Sequence, residues 1–200
     1  SASPIYNKIG KLIGVVIVFR DVTKQKKKEE EIFHISYHDY LTDIPNRRYY
    51  QETLSKLDRD PYYPLSVILM DMNGLKLLND AFGHNVGNIA LQHIANALSS
   101  IKSEKEFIAR IGGDEFAMIC PNTTNDQTQK LLDAIYNTVS KIKVKNLSVS
   151  LALGYAIKQS DKESLNDILI DAENNMYKNK ILTSKSEKND AIQSILKTLQ

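Results

Sequence analysis

Apolar and polar positions change their spacing several times along this chain, and each change marks an element. LSVILM (residues 65–70) is a short, continuously apolar run and reads as a strand. FIARI (107–111) and FAMIC (116–120) are two more apolar runs, separated by a glycine pair, and read as the arms of a hairpin. LSVSLALGYAI (147–157) alternates, with Val149, Leu151 and Leu153 on one face. Helical spacing fills the intervals. NRRYYQETLSKLD (46–58) predicts a helix ending before Pro61, and LKLLNDAFGH (75–84) predicts another. VGNIALQHIANALSSI (86–101) follows, with Ile89, Ile94, Ala97, Leu98 and Ile101 near helical spacing. DQTQKLLDAIYNTVSKI (126–142) is amphipathic, and SLNDILIDAENNMYKNKI (164–181) is the last clear helix. The order αβααββαβα predicts an α+β fold, a mostly antiparallel central sheet flanked by helices.

The two ends of the chain follow other patterns. Residues 1–22 predict two strands around a turn at Asn7 and Gly10, the second carrying the β-branched run Val15 to Phe19. Two strands alone are marginal in water, so this piece is expected to pair with further chain or a second copy. Residues 23–38 combine strong helix formers with a KKKEEE run and only a patchy apolar seam, Val22, Ile32, Phe33 and Ile35. They read as a connecting helix with a solvated charged face. The main domain is placed at 39–185. Residues 186–200, polar and then IQSILKTLQ, read as a tail or linker helix.

Composition narrows the function classes. Twenty-six basic and 24 acidic residues leave a net charge of +2 in 200 residues, so no charge excess calls for a nucleic acid polymer or a membrane surface. The longest apolar run, Leu12 to Phe19, is too short to cross a bilayer. One cysteine, Cys120, sits in an apolar run; it excludes an intrachain disulfide and reads as a buried free thiol. A cytoplasmic location is expected, with a membrane-tethered parent chain compatible with it.

The candidate chemistry lies at two strand ends. RIGGDEF (110–116) places adjacent carboxylates, Asp114 and Glu115, at the tip of the predicted hairpin. The glycines are expected there because they tolerate positive φ and let a ligand approach the backbone. Asp71 ends the LSVILM strand, and a glycine and a helix start follow it. A carboxylate beside the free N–H groups of a helix start suits a metal-bound phosphate. Asp71, Asp114 and Glu115 together are hard oxygen donors suited to Mg²⁺ or Mn²⁺, and Lys76 is placed to face a phosphate. The residues alone fit either a metal-dependent phosphate site or an acid-capped structural turn.

Four ordered motifs then resemble one family. RIGGDEF resembles the signature of the GGDEF family, the diguanylate cyclases. Asp39-Tyr40-Leu41-Thr42 with Asn46-Arg47-Arg48 resembles its D-x-L-T-x-L-x-N-R motif, and Asp71 to His84 its N-D-x-F-G-H strand-to-helix segment. Ala172 to Lys180 resembles its A-D-x-x-M-Y-x-x-K helix, with Glu173 in the Asp place. The resemblance covers about residues 32–185. It implies a sheet related to the palm of nucleotidyl cyclases and polymerases, and the condensation of two GTP to cyclic di-GMP with release of pyrophosphate by a dimer of domains. Mg²⁺ or Mn²⁺ is implied as cofactor. Asp71, Asp114 and the Met72 carbonyl are implied metal ligands, with Glu115 on a second metal. Glu115 or Asp114 is implied to help deprotonate the 3′-hydroxyl. Lys76 is the implied phosphate or transition-state stabiliser, the amides of Gly74 and Leu75 the phosphate cradle, and Lys180 a further phosphate ligand. Asn79 is implied to bind guanine, and His84 to lie near the nucleotide, with helix packing as its alternative. GVVIVFRDVT and the helix after it resemble the last strands of a PAS sensor and its outgoing signalling helix.

The departures carry expectations of their own. Asn88 stands where the family usually has Asp. A carboxylate accepts from both N1–H and N2–H of guanine; an amide accepts one and presents a donor to the other, a pattern that adenine can match. Weaker GTP binding or relaxed selectivity, with ATP admitted and a mixed cyclic dinucleotide formed, is expected. Ser103 and Glu106 hold the ends of the product-inhibition motif R-x-x-D, so no inhibitory site is expected. Ser184 stands where the family often has Arg, with Lys185 as a substitute. These departures leave a degenerate GTP-binding regulatory module as the alternative to an active cyclase.

Overall fold

The structure, a computed structural model, describes residues 2–17 and 21–198, with side chains described up to Leu182. The chain divides into two compact units, Ser1–Ser36 and Tyr37–Gln200.

In the first unit, β1 (Ala2–Tyr6) pairs antiparallel with β2 (Leu12–Ile17), and α1 (Thr23–Tyr37) begins. The turn forms as Asn7 and Gly10 predict. The Asn7 side chain accepts from the N–H groups of Ile9 and Lys11, and Gly10 takes φ 78°. Ile5, Leu12, Ile13, Val15, Val16 and Ile17 are all exposed, as expected for two strands that cannot bury a face between them. The end of the expected strand, residues 18 and 19, lies outside the described residues.

The second unit is built on four antiparallel strands in the order β4 (Phe107–Arg110), β5 (Glu115–Cys120), β3 (Leu65–Met72), β8 (Leu151–Lys158). A separate two-stranded ribbon, β6 (Lys143–Val144) and β7 (Leu147–Ser148), precedes β8. Alternation along the strands sorts the side chains to two faces. Ile68, Met70, Phe116, Met118, Leu151 and Leu153 pack on α4 (His84–Ile101) and α5 (Asn125–Val139). Leu65, Val67, Ala117 and Ile119 pack with α2 (Arg47–Leu57), and Leu165 and Leu169 of α6 (Leu165–Thr198) lie against the same cluster. Helices on both faces explain why β3 is buried along its length and reads as a run rather than an alternation.

Caps and glycines set the helix positions. The Asn46 side chain accepts from the Tyr49 N–H to start α2, and Thr124 and Gln127 form a reciprocal capping box at α5. Gly154 of β8 faces the backbone of Ala172 and Met176; a methyl group there would collide with α6. The helix therefore lies directly on the strand. In α4 the buried face is Val86, Ala90, Leu91, Ile94, Ala95 and Leu98, so Ile89 is exposed rather than part of the seam. α6 runs through to Thr198 with no break near residue 185. No helix among the described residues is long and apolar enough to cross a membrane.

Candidate metal and nucleotide site

Asp71 and Glu115 are direct partners in the β3–β5 ladder. Paired residues project to the same face, and odd-numbered positions in both strands face α2 and α6. The two carboxylates thus leave the sheet together, at the end of its two inner strands. Asp114 precedes Glu115 at the hairpin end, and its carbonyl accepts the Met72 N–H at 2.9 Å. That bond ties the loop to the end of β3.

Asp71 is only 5% exposed. Its Oδ2 accepts from Lys180 Nζ at 2.7 Å, while Oδ1 is buried with no hydrogen-bond partner. Burial pushes the Asp71 carboxyl above its ordinary range, Lys180 opposes the shift, and Asp114 adds to it. A buried carboxylate oxygen without a donor is costly unless a cation or donor reaches it. This orphaned oxygen is a place where a hard divalent cation could be received. Asp71, Asp114 and Glu115, with the Met72 carbonyl, would be its donors, although the ligand oxygens of the three carboxylates do not all lie within 4.8 Å of one another as the side chains stand.

The hairpin glycines act differently from expectation. Neither Gly112 nor Gly113 has positive φ. Gly112 instead leaves room for the Glu115 side chain, whose Oε2 occupies the space a methyl group would need. Gly113 is exposed and open, which leaves the approach to the backbone clear as expected.

The loop is also held from behind. Arg110 donates from Nη2 to the Gly113 carbonyl at 2.7 Å and from Nη1 to Asp39 Oδ1 at 2.8 Å. Asp39 Oδ1 accepts from the Thr42 N–H and Oγ1 as well. Burial acts to raise the Asp39 carboxyl, but the bonds from Thr42 and Arg110 outweigh it and hold it below its usual value. Residues 39–42 thus brace the signature hairpin, a role that sequence reasoning did not assign. The motif marked the residues, but nothing local marked a partner 71 positions away.

On the opposite side of the strand end, Gly74 takes φ 70° and opens α3 (Leu75–Phe82) without a side-chain cap. The first-turn N–H groups of α3, Leu75 among them, have no intrahelical acceptor, and Lys76 is exposed in the same turn. Asn79 has its Oδ1 buried and unpartnered against the place where Gly87 lacks a side chain. Asn88, the next residue, is exposed in the first turns of α4, and exposed His84 begins that helix. His84 is therefore no part of the helix packing. Lys180 is the one expected phosphate ligand found engaged elsewhere, on Asp71. Ser103 and Glu106 bind each other: Glu106 Oε2 accepts from the Ser103 N–H at 2.6 Å and from its hydroxyl at 2.5 Å. The Ser184 and Lys185 side chains lie outside the described residues. Cys120 is buried and free, as expected.

Antiparallel strands with helices on both faces, carrying acids at the ends of adjacent inner strands, are the arrangement that the resemblance implied. The family described as diguanylate cyclase, GGDEF domain, matches residues 36–186, and the chain belongs to it. Signaling protein YkoW of Bacillus subtilis is 36% identical over 174 residues, which are 83% of this chain and 22% of that protein. Diguanylate cyclase DgcM of Escherichia coli is 28% identical over 172 residues, 83% of this chain and 41% of that one. Cyclic di-GMP phosphodiesterase PdeB of Shewanella oneidensis is 30% identical over 177 residues, 86% of this chain and 21% of that one. The chain thus spans between about a fifth and two-fifths of these relatives. Among solved structures, the coiled coil and GGDEF domain of DgcB from Caulobacter crescentus, in complex with c-di-GMP, superposes with a TM-score of 0.74. It is 22% identical, with 80% of this chain and 88% of that one covered. The GGDEF domain of TpbB from Pseudomonas aeruginosa gives 0.66 at 31% identity, with 73% and 90% covered.

Proposed function

We propose that this chain is a diguanylate cyclase domain: two GTP condense to cyclic di-GMP and two pyrophosphates, with one GTP held by each domain of a homodimer. The observation that carries the reading is Asp71, a buried strand-end carboxylate with one oxygen unpartnered, paired across the sheet with Glu115. Asp71, Asp114 and the Met72 carbonyl would hold a first Mg²⁺ or Mn²⁺, and Glu115 would hold a second. When bound, the ions neutralise the triphosphate and lower the pKa of the attacking hydroxyl. The amides of Gly74 and Leu75 receive phosphate oxygens at the start of α3, and Lys76 stabilises charge on the transferring phosphate. Asp114 or Glu115 takes the proton of the 3′-hydroxyl as it attacks the α-phosphate of the facing nucleotide. Asn79 and Asn88 border the base, and His84 lies at the mouth of the same helix. The Ser103–Glu106 turn has Ser103 where the product-inhibition motif has its arginine, so no feedback inhibition is expected there. Residues 1–22 resemble the end of a PAS-like sensor.

Asn88 favours a second reading of the same site. Its amide satisfies only half of the guanine edge, so ATP enters more readily and a mixed dinucleotide forms, or GTP is bound with little turnover as a regulatory signal. Incubating the protein with Mg²⁺ and GTP, ATP or both, and identifying products by mass spectrometry, separates these outcomes. Cyclic di-GMP supports the cyclase, a mixed product supports relaxed selectivity, and nucleotide binding by a dimer without product supports the regulatory module. N88D is expected to sharpen discrimination for GTP over ATP about tenfold, the worth of one good bidentate base contact.

A further inference from the structure

Lys180 meets two demands that cannot be satisfied in one place. Its Nζ lies 2.7 Å from Asp71 Oδ2, at the acid end of the sheet. Asp71 is the buried partner, with its side chain 7% exposed, whereas the Lys180 side chain is 40% exposed. The ammonium therefore reaches in from the rim toward a carboxylate that burial would otherwise leave uncompensated. Asp114 adds a second negative charge felt by Asp71. A single ammonium thus partly neutralises a cluster whose donor set suits a divalent cation. A cation of charge two on Asp71 and an ammonium on the same carboxylate repel each other at short range. The lysine has somewhere to go: it sits on a long flexible stem, half exposed, at the edge of the site that would hold a triphosphate.

We infer that Lys180 is a resident counter-ion for Asp71 that must leave before a divalent cation binds there, and that it is drawn off by the phosphates of the incoming nucleotide. The inference rests on the metal and nucleotide reading of this site. It adds an order to binding: metal alone competes with Lys180 and binds weakly, whereas metal and triphosphate together release the lysine and give it a new anion. The packing that presents Lys180 supports this. Gly154 lets α6 lie on β8, and Ala172, fully buried at that crossing, fixes the helix eight residues before Lys180. The backbone is thereby set while the long side chain reaches the rim.

The test measures Mn²⁺ binding by electron paramagnetic resonance on the whole chain, first without nucleotide. K180M is expected to bind Mn²⁺ alone about tenfold more tightly than the unaltered protein, while K180R, which keeps the charge, stays close to it. With an α,β-methylene GTP analogue present, the order reverses, and K180M binds the metal–analogue complex about tenfold more weakly. A K180M protein that folds normally and binds Mn²⁺ alone no more tightly overturns the inference. So does tightening that survives in D71N/K180M, because the gain would then come from another site. Failure of the unaltered protein to bind the metal–analogue complex overturns the nucleotide reading instead, and it is read in a separate titration.

Discussion

Two aspartate–lysine pairs hold opposite ends of β3 and β8. At one end Lys158, partnered with Leu65 in the ladder, binds Asp58 at the C-terminal cap of α2. At the other, about 20 Å away at the rise of an antiparallel strand, Lys180 binds Asp71. The first pair is closed. Lys158 is 3% exposed and lies over the Tyr63 ring, and Asp58 Oδ1 also accepts from the Tyr63 hydroxyl at 2.9 Å. Burial acts against the lysine's charge, but its bonds to Asp58 and Tyr63 outweigh that and raise its pKa. In the second pair the roles are exchanged: the carboxylate is buried, one of its oxygens has no partner, and the lysine is half exposed. The same two residue types thus make a structural clamp where the cation is enclosed and paired, and a reactive site where the anion is enclosed and left short of donors.

The largest difference should appear in turnover. D71N is expected to lower cyclic dinucleotide formation roughly a thousandfold, since it removes a charged metal ligand. D58N should leave formation largely unchanged once the protein is folded. Initial rates with saturating GTP and Mg²⁺ check this, and equal losses would break the distinction. Stability should separate the pairs through the metal. K158M leaves Asp58 without its enclosed cation and is expected to cost about 3 kcal/mol in urea unfolding. K180M leaves the more buried Asp71 without its cation and should cost a similar amount, about 3 kcal/mol, which a divalent cation restores for K180M and not for K158M. Equal urea midpoints for K180M with and without Mg²⁺ would break the distinction.

How much of this could be read beforehand depends on sequence distance. Asp71, Asp114 and Glu115 stood out because a carboxylate ending an apolar run contradicts its surroundings, and no fold is needed to see that. The main elements were legible for the same reason, their period being local. β7 was merged with β8 into one longer strand, and β6 was not assigned. The turn between β6 and β7, Lys145-Asn146, uses two non-glycine residues at positive φ and carries no glycine signal. The break before β8 comes from tertiary bonds, with Asn73 N–H donating to the Ser150 carbonyl at 3.1 Å. Of the two reasons given for the glycine pair, positive φ fails, and the room that Gly112 leaves for Glu115 is a three-dimensional fact. Lys180 on Asp71 spans 109 positions and Lys158 on Asp58 spans 100, so neither pair leaves a mark in the local pattern.

Asp39 and Arg110 make a third pair between these extremes, and they test whether a closed pair can serve the site. Both side chains are largely buried, 17% and 10% exposed, and Asp39 Oδ1 is saturated, yet Arg110 also holds the Gly113 carbonyl of the reactive hairpin. The Asp39 carboxyl is held below its ordinary value in the folded chain. A depressed folded pKa contributes stability that is present above the unfolded value, about 3.9, and is lost as pH falls through the folded one. Urea midpoints should therefore drop below about pH 4 more steeply for the unaltered protein than for D39N. At pH 7 D39N should cost about 2 kcal/mol, less than enclosing a lone charge because its amide can still accept from Thr42. Its turnover should fall far less than that of D71N, because the loop loses a brace and no ligand. Parallel acid profiles for the two proteins would show that Arg110 holds the hairpin without help from the Asp39 charge.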